Sequence, residues 1–175
     1  NTKTSHTKDV NKVIKNTIRL AQHRIRHLAQ IDIDLNEIAS IQLSESQLSQ
    51  TLINLILNAA EARKPGSEVC QITISSLMKE DDIVQITIKD NGVGILEQNY
   101  DRIFDPFYTR KQHGTGLGLA ICQEIVSRTG GKIIVESCIG EGTSFTLLLH
   151  YFNTFVVPLV IVKGPSDELE AVSLE

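Results

Sequence analysis

The chain has 175 residues, 41% of them hydrophobic and 22% charged, with a formal net charge of −4. That length holds one domain with a real core, and an acidic balance without basic clusters argues against a nucleic-acid surface. Cys70, Cys122 and Cys138 have no metal-type spacing and read as reduced, packed thiols of a cytoplasmic protein, while no apolar run reaches the ~20 residues that cross a bilayer.

Residues 1–8 are polar and are expected to fray, leaving one domain over 9–157 and a disordered tail over 158–175. The chain opens on Asn1 and reads as a piece of something longer. From Asp9, the spacing of Val10, Val13, Ile14, Ile18, Leu20, Ala21, Ile25 and Leu28 predicts a helix to about Leu28. "IDIDLNEI" alternates and predicts a short strand with Ile31, Ile33 and Leu35 on one face. Ser44 or Ser46 can cap a second helix, which should stop at the Pro-Gly of "RKPGS". "CQITISSL" and "DIVQITIKD", joined by "MKEDD", read as a hairpin. A long aperiodic stretch from Asn91 to Gly116 follows, of the kind that is functional more often than idle. "LGLAICQEIVSRTGG" predicts a helix closed by Gly130 and Gly131, and "KIIVES" with "TSFTLLLHYF" predicts a second hairpin across "CIGEG". This order predicts an α+β fold, a two-layer α/β sandwich with helices on one face of a mixed sheet.

The second helix carries an unusual stripe. Gln47, Gln50, Asn54, Asn58 and Glu61 fall on one line, flanked on both sides by apolar residues. A line facing water is one reading. Solvated stripes usually carry Lys, Glu and Arg, however, whereas amides offer donors, acceptors and uncharged oxygens for a hard cation. Two glycine-rich turns extend this second reading. "DNGVGI" stands where a strand ends, and "GTGLGLA" where a helix begins with bare amides that favour an anion. Together they supply parts for a nucleotide, although no Walker-type phosphate loop occurs.

"NLILNAAEA", "DNGVGI", "FDPFYTRK" and "GTGLGLAI", in this order, closely resemble the catalytic ATP-binding domain of bacterial sensor histidine kinases, within the superfamily of gyrase, heat-shock chaperone and mismatch-repair ATPases. The resemblance spans Val10 to Phe152 and implies a Bergerat-type fold that binds ATP and Mg²⁺. It implies Asn58 as the magnesium ligand, Asn54 near the phosphates, and Asp90 as acceptor for the adenine amine. Gly92 and Gly94 would lie beneath the base, with Ile95 beside them, and Thr143 would help hold the adenine-bound water. Gly114, Thr115, Gly116, Leu117, Gly118 and Leu119 would wrap the phosphates. Residues 97–113 would form a lid anchored by burial of Phe104 and Phe107, with Arg110 and Lys111 as its phosphate-facing cations.

The family's hydrolases place a glutamate base four residues before the magnesium asparagine; here Asn54 stands there, and a carboxamide cannot take a proton. The resemblance therefore implies a protein-histidine kinase, with Asn54 and Lys111 at the chemistry. His6, His23, His27, His113 and His150 are none of them followed by an acidic residue, so the phosphoacceptor is expected on a helical hairpin outside this chain. The isolated fragment should bind ATP with little autokinase activity. The implied partners are that hairpin and a response regulator receiver domain, in a homodimeric parent that is cytoplasmic or seated in the inner membrane. Glu61 stands where many members of the resembled family carry lysine, although "NAAEA" occurs among them as a variant. A gyrase- or chaperone-like ATPase and a non-enzymatic binding module are the alternatives.

Overall fold

The computed structural model describes residues 6–67, 69–80, 82–109, 111 and 114–152, and the backbone of 160–163 and 169–172. Helix α1 (Val10–Ile25) leads into strand β1 (Ala29–Leu35), helix α2 (Glu45–Glu61) and the strands β2 (Cys70–Lys79) and β3 (Ile83–Asp90). After the connecting loop come helix α3 (Gly118–Ser127) and the strands β4 (Lys132–Cys138) and β5 (Gly142–His150). The strands form one sheet in the order β1-β2-β3-β5-β4, parallel at β1–β2 and antiparallel elsewhere.

The two faces of the sheet follow from strand periodicity. Ile72, Ile74, Val84, Ile86, Ile88, Phe145, Leu147 and Leu149 point to one face and are buried. Thr87 and Thr146 face each other on the opposite side, 3.2 Å apart. The helices cover the apolar face. α2 packs against β2 and β3 and is flanked by α1 and α3, which explains apolar residues on both sides of its polar line. Leu48, Leu52, Leu55 and Ile56 are fully buried there, each contributing ~1.5–3 kcal/mol by leaving water. β1 is an edge strand. Its Ile31, Ile33 and Leu35 share one face as expected, in register with Ile72, Ile74 and Ser76, and Ile33 is exposed at this edge.

α2 begins with a reciprocal cap. The Gln47 amide donates to Ser44 Oγ (3.2 Å), and the Ser44 amide donates to Gln47 Oε1 (3.1 Å). Gln47, read from the sequence as part of the polar stripe, therefore serves the cap instead. Ser44→Ala should cost ~1 kcal/mol and lower the melting temperature by ~2–4 °C in a thermal scan. At the far end of the domain, Gly131 donates its amide to Val126 O (3.1 Å) and closes α3 as expected.

Two boundary expectations need correction. Fraying through residue 8 does not hold for residues 6 and 7: Thr7 is buried, bridges Ile41 and donates its hydroxyl to Leu43 O (2.7 Å), and His6 stacks on Phe152. Within the tail expected to be disordered, β6 (Val160–Lys163) and β7 (Leu169–Val172) pair with each other. The rest of 153–175 lies outside the described residues. Among the cysteines, Cys70 and Cys122 are buried as expected, whereas Cys138 is exposed.

Candidate functional site

Three successive turns at the end of α2 touch three different segments. Asn54 Nδ2 donates to Gly118 O at the start of α3 (3.2 Å). One turn on, Asn58 Oδ1 accepts from Lys111 Nζ (2.8 Å), whose ammonium also meets Glu61 Oε2 at 2.5 Å. At the helix end, Ala62 O accepts from the amide of Val93, inside "DNGVGI" (2.8 Å). The polar line thus faces the two glycine-rich turns and the loop between them. Of the two readings left open by periodicity, this placement favours the inward one.

Asp90 ends β3 and is only 3% exposed. Its Oδ1 accepts from the amides of Gly92 (2.8 Å) and Thr143 (3.3 Å), while Oδ2 takes no hydrogen bond among the described residues. Burial pushes its carboxyl above the usual carboxylate range, and the two amides partly offset that. Thr143, on β5, is buried, and its hydroxyl shares a 2.8 Å bond with Ser137 Oγ.

Ser137 carries no signal in the sequence, where "VES" reads as one more alternating strand residue. Its Oγ accepts from the amide of Ile95 (2.8 Å) and bonds Gly142 O (2.9 Å), while its carbonyl accepts from the Tyr100 hydroxyl (2.5 Å). It therefore ties the "DNGVGI" turn and the short turn at Glu97–Asn99 to the hairpin that carries Thr143. Gly94 belongs to the same junction. Its φ is +77°, and an added Cβ would stand 2.2 Å from Cys138 O. The bare backbone at Gly94 thus makes room for the chain's own β4–β5 turn, a different reason from the flat ligand inferred from the sequence.

The second turn is built around α3. Gly116 O accepts from the amide of Phe107 (3.0 Å), and Thr115 Oγ1 accepts from that of Leu117 (3.4 Å). Among the described residues no side chain caps α3, and the amides of Gly118 and Leu119 have no partner there. Gly114 lies against Thr109, and Thr109 Oγ1 in turn accepts from the amide of Lys111 (3.1 Å). Arg110 lies outside the described residues. Cys122, a buried residue of α3 itself, has its thiol pushed up to about 11, chiefly by burial and against an opposing hydrogen bond from Asn54.

The expected lid anchors are half right. Phe104 packs against the core, but Phe107 is 75% exposed with a left-handed φ of +68°. The buried anchor is Ile103, with Tyr108 partly buried beside it under Arg102. The left-handed twist at residue 107 turns its ring outward, and hydrophobicity alone could not reveal that.

The comparisons with known proteins agree with this geometry. Residues 43–152 match the model of the histidine kinase-, DNA gyrase B- and HSP90-like ATPase family. The chain belongs to this family. It is 38% identical to sporulation kinase E of Bacillus subtilis (strain 168) over 81% of this chain and 19% of that protein. It is 36% identical to the signal transduction histidine-protein kinase AtoS of Escherichia coli (strain K12), over 80% of this chain and 23% of that protein. The chain thus spans about a fifth of the length of these relatives. Among solved structures, the nucleotide-free catalytic domain of histidine kinase ThkA superposes with a TM-score of 0.72 at 30% identity, covering 84% of this chain and 95% of that one. This chain is an ATP-binding catalytic domain of the histidine kinase type. Among the described residues, no helix is long and apolar enough to cross a membrane.

Proposed function

We propose that this domain binds Mg-ATP between α2, the "DNGVGI" turn and the start of α3, and offers the γ-phosphoryl group to a histidine on a helical hairpin of the parent protein. The observation that carries this reading is Asp90. Its Oδ1 is held by two backbone amides, and Oδ2 is left to accept the exocyclic amine of adenine. Gly92, Gly94 and Ile95 would border the base, and Thr143 with Ser137 would hold a water beside it. The open amides of Gly118 and Leu119 at a helix N-terminus suit the phosphates; Gly114, Thr115, Gly116, Leu117 and the lid cations Lys111 and Arg110 would surround them.

Magnesium fits the residues present. Asn58 Oδ1 already shares a cation, the Lys111 ammonium, with a carboxylate oxygen of Glu61, and such oxygen donors suit a hard divalent ion. Asn58 would hold the metal, which when bound neutralises charge on the phosphates. Asn54 has its amide on Gly118 O and cannot act as a base toward water. The nucleotide should therefore outlast binding and remain available to an incoming imidazole, which favours a kinase over a hydrolase. A response regulator receiver domain would take the phosphoryl group onward, in a homodimeric parent.

Adenine selectivity tests the reading. Mg-ATP should raise the melting temperature and give a calorimetric affinity at least ~100-fold tighter than Mg-GTP, because the guanine carbonyl would face the Asp90 carboxylate, acceptor against acceptor. Equal affinity for both nucleotides would remove Asp90 from the base site. Added histidine hairpin from the parent should gain an acid-labile phosphate faster than free phosphate accumulates.

A further inference from the structure

We propose that Glu61 is, with Asn58, a ligand of the divalent cation, and that the Lys111 ammonium keeps their two oxygens occupied until the metal arrives. The inference rests on the Mg-ATP reading above and adds a residue that this reading does not require. Asn58 and Glu61 stand three residues apart on α2, so their side chains project from one face. Both reach the same atom: Lys111 Nζ lies 2.8 Å from Asn58 Oδ1 and 2.5 Å from Glu61 Oε2. A neutral amide oxygen and a carboxylate converging on a point occupied by positive charge form half of a hard-cation site. Water and phosphate oxygens would complete it.

The present occupant is easily displaced. The side chains of Lys111 and Glu61 are 42% and 43% exposed, so solvent screens their attraction and the pair adds little to stability. A divalent ion at the same place draws twice as strongly on the carboxylate. Metal and ammonium repel each other and cannot share these oxygens, so the site holds one at a time. Arrival of the metal therefore releases Lys111, whose ammonium becomes available to the phosphates. Glu61, which stands where many members of the resembled family carry lysine, thereby sets two things: the affinity of the cation site and the resting place of Lys111.

Manganese serves as the probe, first on the nucleotide-free chain. Paramagnetic broadening of the Asn58 side-chain amide signal should be weak in wild type. It should grow in Lys111→Met, where the competing ammonium is gone, and vanish in Lys111→Met/Glu61→Gln. In the second arm, at saturating non-hydrolysable ATP analogue, Glu61→Gln should raise the manganese concentration for half-saturation at least tenfold. Equal broadening in the single and double variants would overturn the proposal, as would unchanged manganese dependence in Glu61→Gln with nucleotide still bound. Failure of wild type to bind the analogue would instead count against the Mg-ATP reading, and the metal-only arm would still decide the role of Glu61.

Discussion

Replacing Asp90 with asparagine should abolish ATP binding while leaving the nucleotide-free protein at least as stable as wild type. The variant is isosteric, but its two terminal atoms are no longer equivalent. The amides of Gly92 and Thr143 both point at Oδ1, so the asparagine must place its oxygen there and its NH₂ where Oδ2 was. That NH₂ would confront the adenine amine, donor against donor. Losing a hydrogen bond to a charged acceptor costs ~1.5–3 kcal/mol before the mismatch is counted, so affinity should fall at least ~100-fold by titration calorimetry. Stability should move the other way because the buried charge is gone.

Proton linkage gives a second readout for the same variant. Burial raises the Asp90 carboxyl above the ordinary 3.8, so between that value and the raised one the folded state binds more protons than the unfolded state. The contribution of Asp90 to stability is complete below 3.8 and is lost as pH climbs through the raised value. Asp90→Asn should lack that decline in urea titrations across the window. Nucleotide affinity in wild type has the opposite slope. It should strengthen as pH rises and the carboxylate forms, whereas the variant should remain weak and flat.

The parts of the fold that depend on local rules were legible in the sequence. Ile72 and Ile74, or Val84, Ile86 and Ile88, alternate because β2 and β3 bury one face, and Ser44 or Ser46 marks the start of α2, where Ser44 makes the cap. Non-local pairings leave no such trace. Nothing in "IDIDL" says that β1 runs parallel to β2, and nothing in the order of the hairpins says that β5 lies between β3 and β4. The candidate site divides in the same way. Asn58 and Lys111 each stood out by residue type and motif, but their contact spans 53 residues of sequence, and only the fold brings them together. Ser137 was invisible because its work is done by one hydroxyl and one carbonyl at a junction of two loops. Phe107 misled because a large apolar residue is ordinarily buried, and here the backbone conformation turns it outward.

Gly142→Ala should be the most damaging single-methyl change near the site. Gly142 opens β5 with φ +125°, where a side chain is strained regardless of space. Space is lacking as well. The new Cβ would lie 2.0 Å from the carbonyl oxygen of Asp90 and 2.8 Å from Asn91 Cα, both of them backbone atoms that cannot rotate away. Backbone strain and overpacking each cost ~1–3 kcal/mol, so a loss of ~3 kcal/mol or more is expected, a fall of roughly 6–12 °C in melting temperature for a domain of this size. The damage should also reach function. Relieving the clash means moving the start of β5 away from β3, and Thr143, the next residue, supplies one of the two amides that hold Asp90 Oδ1. The Ser137–Gly142 hydrogen bond would stretch in the same motion and loosen Ile95. Nucleotide affinity measured well below the variant's melting temperature should therefore drop, although residue 142 contributes no side chain to the ligand. A variant that melted early yet bound ATP as tightly as wild type would mean that the hairpin does not position Asp90.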